Sequence, residues 1–210
     1  MLVSAVIAVP RSLLNDPSSI YWSDTELVSY LAAFISDACG KRRDLYTIRN
    51  GALPLTAGVY QTLPAGGIQL LEVYGAGATA PVVFITDITD LKHSKFAALA
   101  AAPPVANIQA VSIDPRDRTG FRCYPPSTGS GSTVDALYSA VPDTSTLTTS
   151  STYPLPPDSV WAAQQFVLGS AFDKNNERRD ALKSQQYMQR YADWLAGNLQ
   201  AQMGVAERPD

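Results

Sequence analysis

The spacing of apolar residues changes period twice along the chain, and those two switches limit the folds open to it. Over 24–39 the side chains Leu27, Leu31, Phe34, Ile35 and Ala38 fall at i, i+4, i+7, i+8 and i+11, one apolar face of a helix. From 45 to 142 the chain is instead rich in Val, Ile, Tyr, Thr, Gly and Pro. Short strands are expected there at 45–49, 67–75, 108–113, 120–124 and 134–140. After Pro156-Pro157 the helical period returns. Val160, Gln164, Val167, Leu168 and Ala171 keep it with one polar interruption, at Gln164. A longer helix over about 177–201 carries Leu182 (or Ala181), Met188, Tyr191, Leu195 and Leu199. The order helix, helix, strands, helix, helix predicts an α+β fold: a four-helix bundle from the terminal helices, 1–44 plus 153–210. A β-rich domain, 45–152, is then inserted between helices two and three.

Local chemistry sharpens the boundaries. Residues 2–14 suit a short helix with Pro10 as a kink or break, and Asn15-Asp16-Pro17 is turn chemistry. Ser23-Asp24-Thr25-Glu26 predicts a capping box with Trp22 stapled onto the first turn, and Gly40 is the expected C-cap. SKFAALAAA at 94–102 looks like a short helical insertion. STGSGST at 127–133 and DTSTLTTSST at 143–152 are polar and low in complexity, expected as loops or partner-ordered segments, and the tail GVAERPD as loose.

The composition excludes several functions. The chain has 210 residues, 46% of them hydrophobic and 17% charged, enough to bury a core without a metal or disulfide. A net charge of -3, with no basic block beyond Lys41-Arg42-Arg43, argues against sequence-specific nucleic-acid binding. The two cysteines, Cys39 and Cys123, are expected as small apolar side chains rather than a bridge. No positive charge precedes the apolar start MLVSAVIAVP, so a secretory signal is not expected. No apolar run reaches membrane-spanning length either.

The stretch SIDPRDRTGFRCYPP, 112–126, gathers two aspartates and two arginines near a glycine. Asp114-Pro115 suits the start of a type I turn, and Gly120 allows a positive φ before the next strand. The neighbouring arginines keep both carboxylates ionised, whereas a catalytic acid needs the reverse. The reading is a hairpin. His93 is the one histidine. A small serine hydrolase using it with Ser94 or Ser112 is the enzymatic alternative, but no GxSxG elbow accompanies it. No metal-ligand or phosphate-loop spacing is present, so no cofactor is expected.

Five motifs in a fixed order add a resemblance. LLNDPSSIYWSDTELVSYLAAFISDA resembles the "LxD…W…xELxxYLNxA" helices of tailed-phage head-to-tail adaptor (connector, or head completion) proteins. GVYQTLPAGGIQLLEVYG is similar to their "QxLPxGxxxLLxV" strand, SIDPRDRTGFRCYPP to the "DPxxPxxFxVYPP" hairpin, and VDALYSAVP to "VExxYSAxP". PLPPDSVWAAQQFVLGSAFDKNNERRDALKSQQYMQRYADWL resembles the closing helix pair. The chain departs at LAAFISDA and at Asp117-Arg118-Thr119, where a proline is more usual. The resemblance implies a non-enzymatic protein of the virion neck, assembled in the host cytoplasm. It also implies a ring of about twelve copies between the portal and a tail or nozzle protein, continuing the DNA channel. A neighbouring neck or tail-completion protein is the within-class alternative. Tyr187, Tyr191 and Trp194, at i, i+4 and i+7 of the last helix, suit either helix packing or an interface. With Leu199, Met203, Val205 and Arg208 they are the expected partner-binding residues. The segment 196–210 and the two polar loops are expected to meet partner rings.

Overall fold

In chain order the elements are α1 (Val3–Leu13), α2 (Asp24–Lys41), β1 (Thr47–Pro54), β2 (Gly58–Thr62), β3 (Gly67–Ala76), β4 (Val83–Ile85), α3 (Ala97–Ala100), β5 (Ala110–Asp114), β6 (Asp117–Ser127), β7 (Thr133–Ala140), α4 (Val160–Asp173) and α5 (Ala181–Ala206). The computed structural model describes residues 1–76, 82–85, 97–114, 117–174 and 177–206, with side chains at 83–85, 97, 100, 114 and 198–206 outside that description. The fold is mixed α+β, and the chain divides into two units. Met1–Leu45 with Pro142–Asp210 form one; Tyr46–Val141 form the other.

In the helical unit α4 is the central element, packed by α1, α2 and α5. It is therefore buried nearly all round, at Ala162, Ala163, Val167, Leu168, Ala171 and Phe172. A helix enclosed on several sides needs no single stripe, which is why Val160 and Gln164 of the expected stripe are only half-buried. On α2 the expected face is the buried one: Leu27, Leu31, Phe34, Ile35 and Ala38. The Trp22 indole Nε1 donates to the Ala171 carbonyl at 3.0 Å and its ring meets Phe172 edge-on.

Pro10 neither breaks nor ends α1, which runs through it to Leu13. Proline has no N–H to give the carbonyl four residues back, here that of Val6. Gln164 Nε2 donates to that carbonyl instead, at 3.4 Å. The one polar position in the α4 pattern thus answers the one proline in α1.

Other boundaries need correction. Ser23 Oγ accepts from the Glu26 amide as expected, at 3.2 Å. The Glu26 carboxylate, however, accepts from Tyr30 and Lys174. Gly40 is not the C-cap, because α2 continues through Lys41 and Arg42 ends it. Leu182 is 67% exposed rather than part of the buried stripe of α5. That helix starts late because Asp180 caps it, its carboxylate accepting from the Lys183 amide at 3.0 Å. Among the described residues of α5 the buried side chains are Ser184, Tyr191 and Leu195.

The β unit holds an antiparallel three-stranded sheet, ordered β1-β7-β3, and a four-stranded sheet ordered β2-β6-β5-β4. The β4–β5 pair is parallel. Leu53, Leu70, Val73, Val111, Phe121, Val134 and Tyr138 share one core. β2 and β4 were not expected; the first opens on a glycine and the second has three residues. Strands β5 and β6 form the expected hairpin, with Asp114 opposite Asp117, while Pro115 and Arg116 lie outside the described residues. Gly120 is not the turn residue. It sits within β6, where its N–H donates to Asp117 Oδ1 at 3.1 Å and an added Cβ would strike that carboxylate. Of the expected helix over 94–102, Ala97–Ala100 is helical and 94–96 lie outside the described residues.

Candidate functional site

A loop rich in Ser and Thr forms one wall of a concavity on the helical unit. The loop is held by its own hydrogen bonds: the Asp143 carboxylate accepts from the Ser145 amide at 2.9 Å, and Ser151 Oγ from the Thr148 amide at 3.0 Å. The Ser145 amide and hydroxyl hold the Asp143 carboxyl below its usual range. The loop is also fastened to α1. The Val3 and Ser4 amides donate to the carbonyls of Ser151 and Thr149, both at 2.9 Å. These are amides of the first turn, which no helical carbonyl reaches. Leu2, the residue at the cap, supplies no side-chain acceptor. A stretch read as low in complexity is therefore the N-terminal cap of a helix.

Between this loop and α2 lies a groove with a cavity volume of about 390 Å³. Val28, Ala32 and Leu147 give it an apolar floor, and Thr25, Ser29 and Thr144 a hydroxyl rim. From Asp24 to Ala32 it follows two turns of α2, roughly 12 Å. The sequence signal was present but weak: Thr25, Val28 and Ala32 stand at i, i+3 and i+7, a second face beside the core stripe.

The second feature is the outward face of α1. Val3, Val6, Ile7 and Pro10 are buried inward. Leu2, Val9 and Leu13 are 50%, 46% and 55% exposed on the other side, with Ala5 also exposed between them. Ser4, Arg11 and Ser12 are the polar positions of α1; Leu2, Ala5, Val9 and Leu13 still leave an apolar strip that no described residue buries. The charges beside the ridge and the groove answer each other, because Arg11 pairs with Asp24 and donates to the carbonyls of Asp16 and Trp22.

The expected partner-binding residues are distributed differently. Tyr191 is 3% exposed, its ring against Phe34 and Phe166 and its hydroxyl donating to Asp37 Oδ2 at 2.6 Å. Burial, together with that carboxylate, raises the phenol well above its ordinary value. Trp194 is half-buried, its ring 4.8 Å from the Arg42 guanidinium. Tyr187 is half-buried and stacks on Phe172 at 5.8 Å. The side chains of Leu199, Met203 and Val205, and the whole of Arg208, lie outside the described residues. So do His93 and Ser94 of the hydrolase alternative. Ser112 is fully buried on β5, its Oγ without a partner among the described residues, closed to any substrate. Cys39 and Cys123 are both free and buried, and burial pushes the Cys39 thiol up to about 11. The described lining of the groove is hydroxyl and apolar side chains, with its carboxylate, Asp24, paired to Arg11. Groove and ridge can both bind by shape and apolar contact.

A family model described as SU10 adaptor protein matches residues 1–209. No curated protein matches the chain.

Proposed function

The chain belongs to the SU10 adaptor protein family, a phage head–tail adaptor family, and on that footing we propose that it is the neck subunit joining the portal to the tail. As a family member it is a structural adaptor of a bacteriophage, working with other head and tail proteins. In the proposed form about twelve copies make a ring beneath the portal. A tail or nozzle protein docks on the opposite side, and the ring continues the DNA channel of the virion neck. The terminal helices act as a four-helix bundle and the β unit as an inserted lobe that meets partners. Assembly takes place in the host cytoplasm, without cofactor and without catalysis.

The observation that carries this reading is the family match over 1–209. Charge supports it: a net charge of -3 repels phosphate, as a DNA conduit requires. The test is co-sedimentation of the purified chain with purified portal rings of the same phage. The chain is expected to travel with the portals. A chain lacking 203–210 is expected to remain folded and soluble but to stay behind. Binding to isolated tails and not to portals would make it a tail-completion protein. Stoichiometric serine labelling by a fluorophosphonate would make it a hydrolase.

A further inference from the structure

We infer that the outward face of α1 in one copy seats in the groove between α2 and residues 144–149 of the next copy, so that copies join head to tail. The inference rests on the adaptor reading and specifies which surfaces build its ring. A ring made by rotation needs two different, mutually complementary patches on each protomer. Among the described residues the helical unit carries an apolar ridge on α1 and an apolar groove beside α2. The ridge from Leu2 to Leu13 is about 16 Å long and the groove about 12 Å, both set by helical rise.

Charge selects the occupant. Copies bearing -3 each repel, so a contact between them belongs on neutral surface. Arg11 beside the ridge and Asp24 at the groove are paired with one another, and Arg11 also serves two backbone carbonyls. Arg11 is thereby engaged and offers little to a DNA phosphate or an acidic peptide. An uncharged ridge of Leu, Ala and Val matches a floor of Val28, Ala32 and Leu147. Closure asks for one more property, a fixed angle between successive contacts. The wall of the groove is hydrogen-bonded to the first turn of the ridge, through Ser151 to Val3 and Thr149 to Ser4. Ridge and groove are thus parts of one rigid piece.

The test is disulfide trapping in the full chain, with Val9→Cys on the ridge and Ala32→Cys on the groove floor. The native thiols are buried and stay out of mild oxidation. The double variant is expected to give a ladder of cross-linked multimers. The two single variants mixed should stop at dimers, and each alone should give none. Val9→Asp, at an exposed position, is expected to match the wild-type melting temperature and to lose ring formation on portal rings. A wild-type chain that forms rings on portals, with no ladder from the double variant and unimpaired rings from Val9→Asp, would overturn the inference alone. A ladder without portal binding would uphold the contact and remove the portal-joining role. Rings of Val9→Asp that no longer accept tails would assign the ridge to a tail protein and overturn the inference.

Discussion

Asp16 organises the turn between α1 and α2 through its carboxylate, which accepts from the amides of Ile20, Tyr21 and Trp22 at 2.9, 3.0 and 2.9 Å. The turn needs this help because Asn15 and Ser19 both sit in the left-handed region, at φ of 52° and 56°. Burial acts to raise the Asp16 pKa, but the three amides and Arg11 outweigh it and hold the carboxyl below its usual 3.8. The sign follows from linkage. A depressed folded pKa contributes stability that is fully present above 3.8 and is lost as pH falls through the folded value. Asp16→Asn keeps the shape but replaces one acceptor oxygen with a donor facing donors. It is expected to lower the urea midpoint at neutral pH. The gap to wild type should then narrow as the pH drops below 3.8. Equal gaps at both pH values would show that the ionised carboxylate is not what holds the turn.

At the scale of elements, two glycines in helices make opposite predictions. Gly40 of α2 has nothing within 4 Å of an added Cβ, so Gly40→Ala removes only the entropic cost of glycine and should stabilise by about 0.5–1 kcal/mol. Gly169 of α4 faces Met188, whose Cγ and Sδ lie 2.7 Å from such a Cβ. Gly169→Ala must displace that thioether, and overpacking should cost about 1–3 kcal/mol, more than the helix gains. Chemical denaturation reads both, and equal effects would mean the α4–α5 approach is not set by Gly169. Pro10 and Gln164 give a coupled pair. Gln164→Leu orphans the Val6 carbonyl and should cost about 1–2 kcal/mol, but less in a Pro10→Ala background where a backbone N–H is restored. These cases also show what the sequence could reveal. The stripe of α2 was legible because the core-facing side of a peripheral helix does most of the burying. The α5 start at Ala181 was not, because Asp180 had to be recognised as a cap inside a polar run. Strand β4 escaped because three residues carry no alternation. The ridge on α1 was visible only as an excess of apolar residues. The groove was hidden because its second wall comes from residues 144–149, more than a hundred positions from α2, and only tertiary structure brings them together.

The whole chain raises the question of which unit does which part of the work. The β unit enters and leaves side by side: the Ala140 amide donates to the Tyr46 carbonyl at 3.0 Å, and the Val141 amide to Gly66 at 2.8 Å. Adjacent ends and a private core are the two properties that let a segment fold alone or be inserted into a host. At about a hundred residues the segment can bury enough surface without a staple. Residues 46–141 expressed alone are therefore expected to give a soluble monomer with a β-type far-UV spectrum and a single cooperative melt. The converse removal is equally defined. Because Ala140 pairs with Tyr46, a Gly-Ser bridge of about five residues spans from Leu45 to Pro142. The bridged helical unit keeps Trp22 on Ala171, Tyr191 on Asp37 and the loop on α1, since none of these contacts involves the β unit. It also keeps the ridge and the groove. The bridged chain carrying Val9→Cys and Ala32→Cys should then still form the cross-linked ladder. A fragment 46–141 that melts without cooperativity would show that its core depends on the helices, and a bridged chain that folds yet gives no ladder would place subunit joining in the β unit.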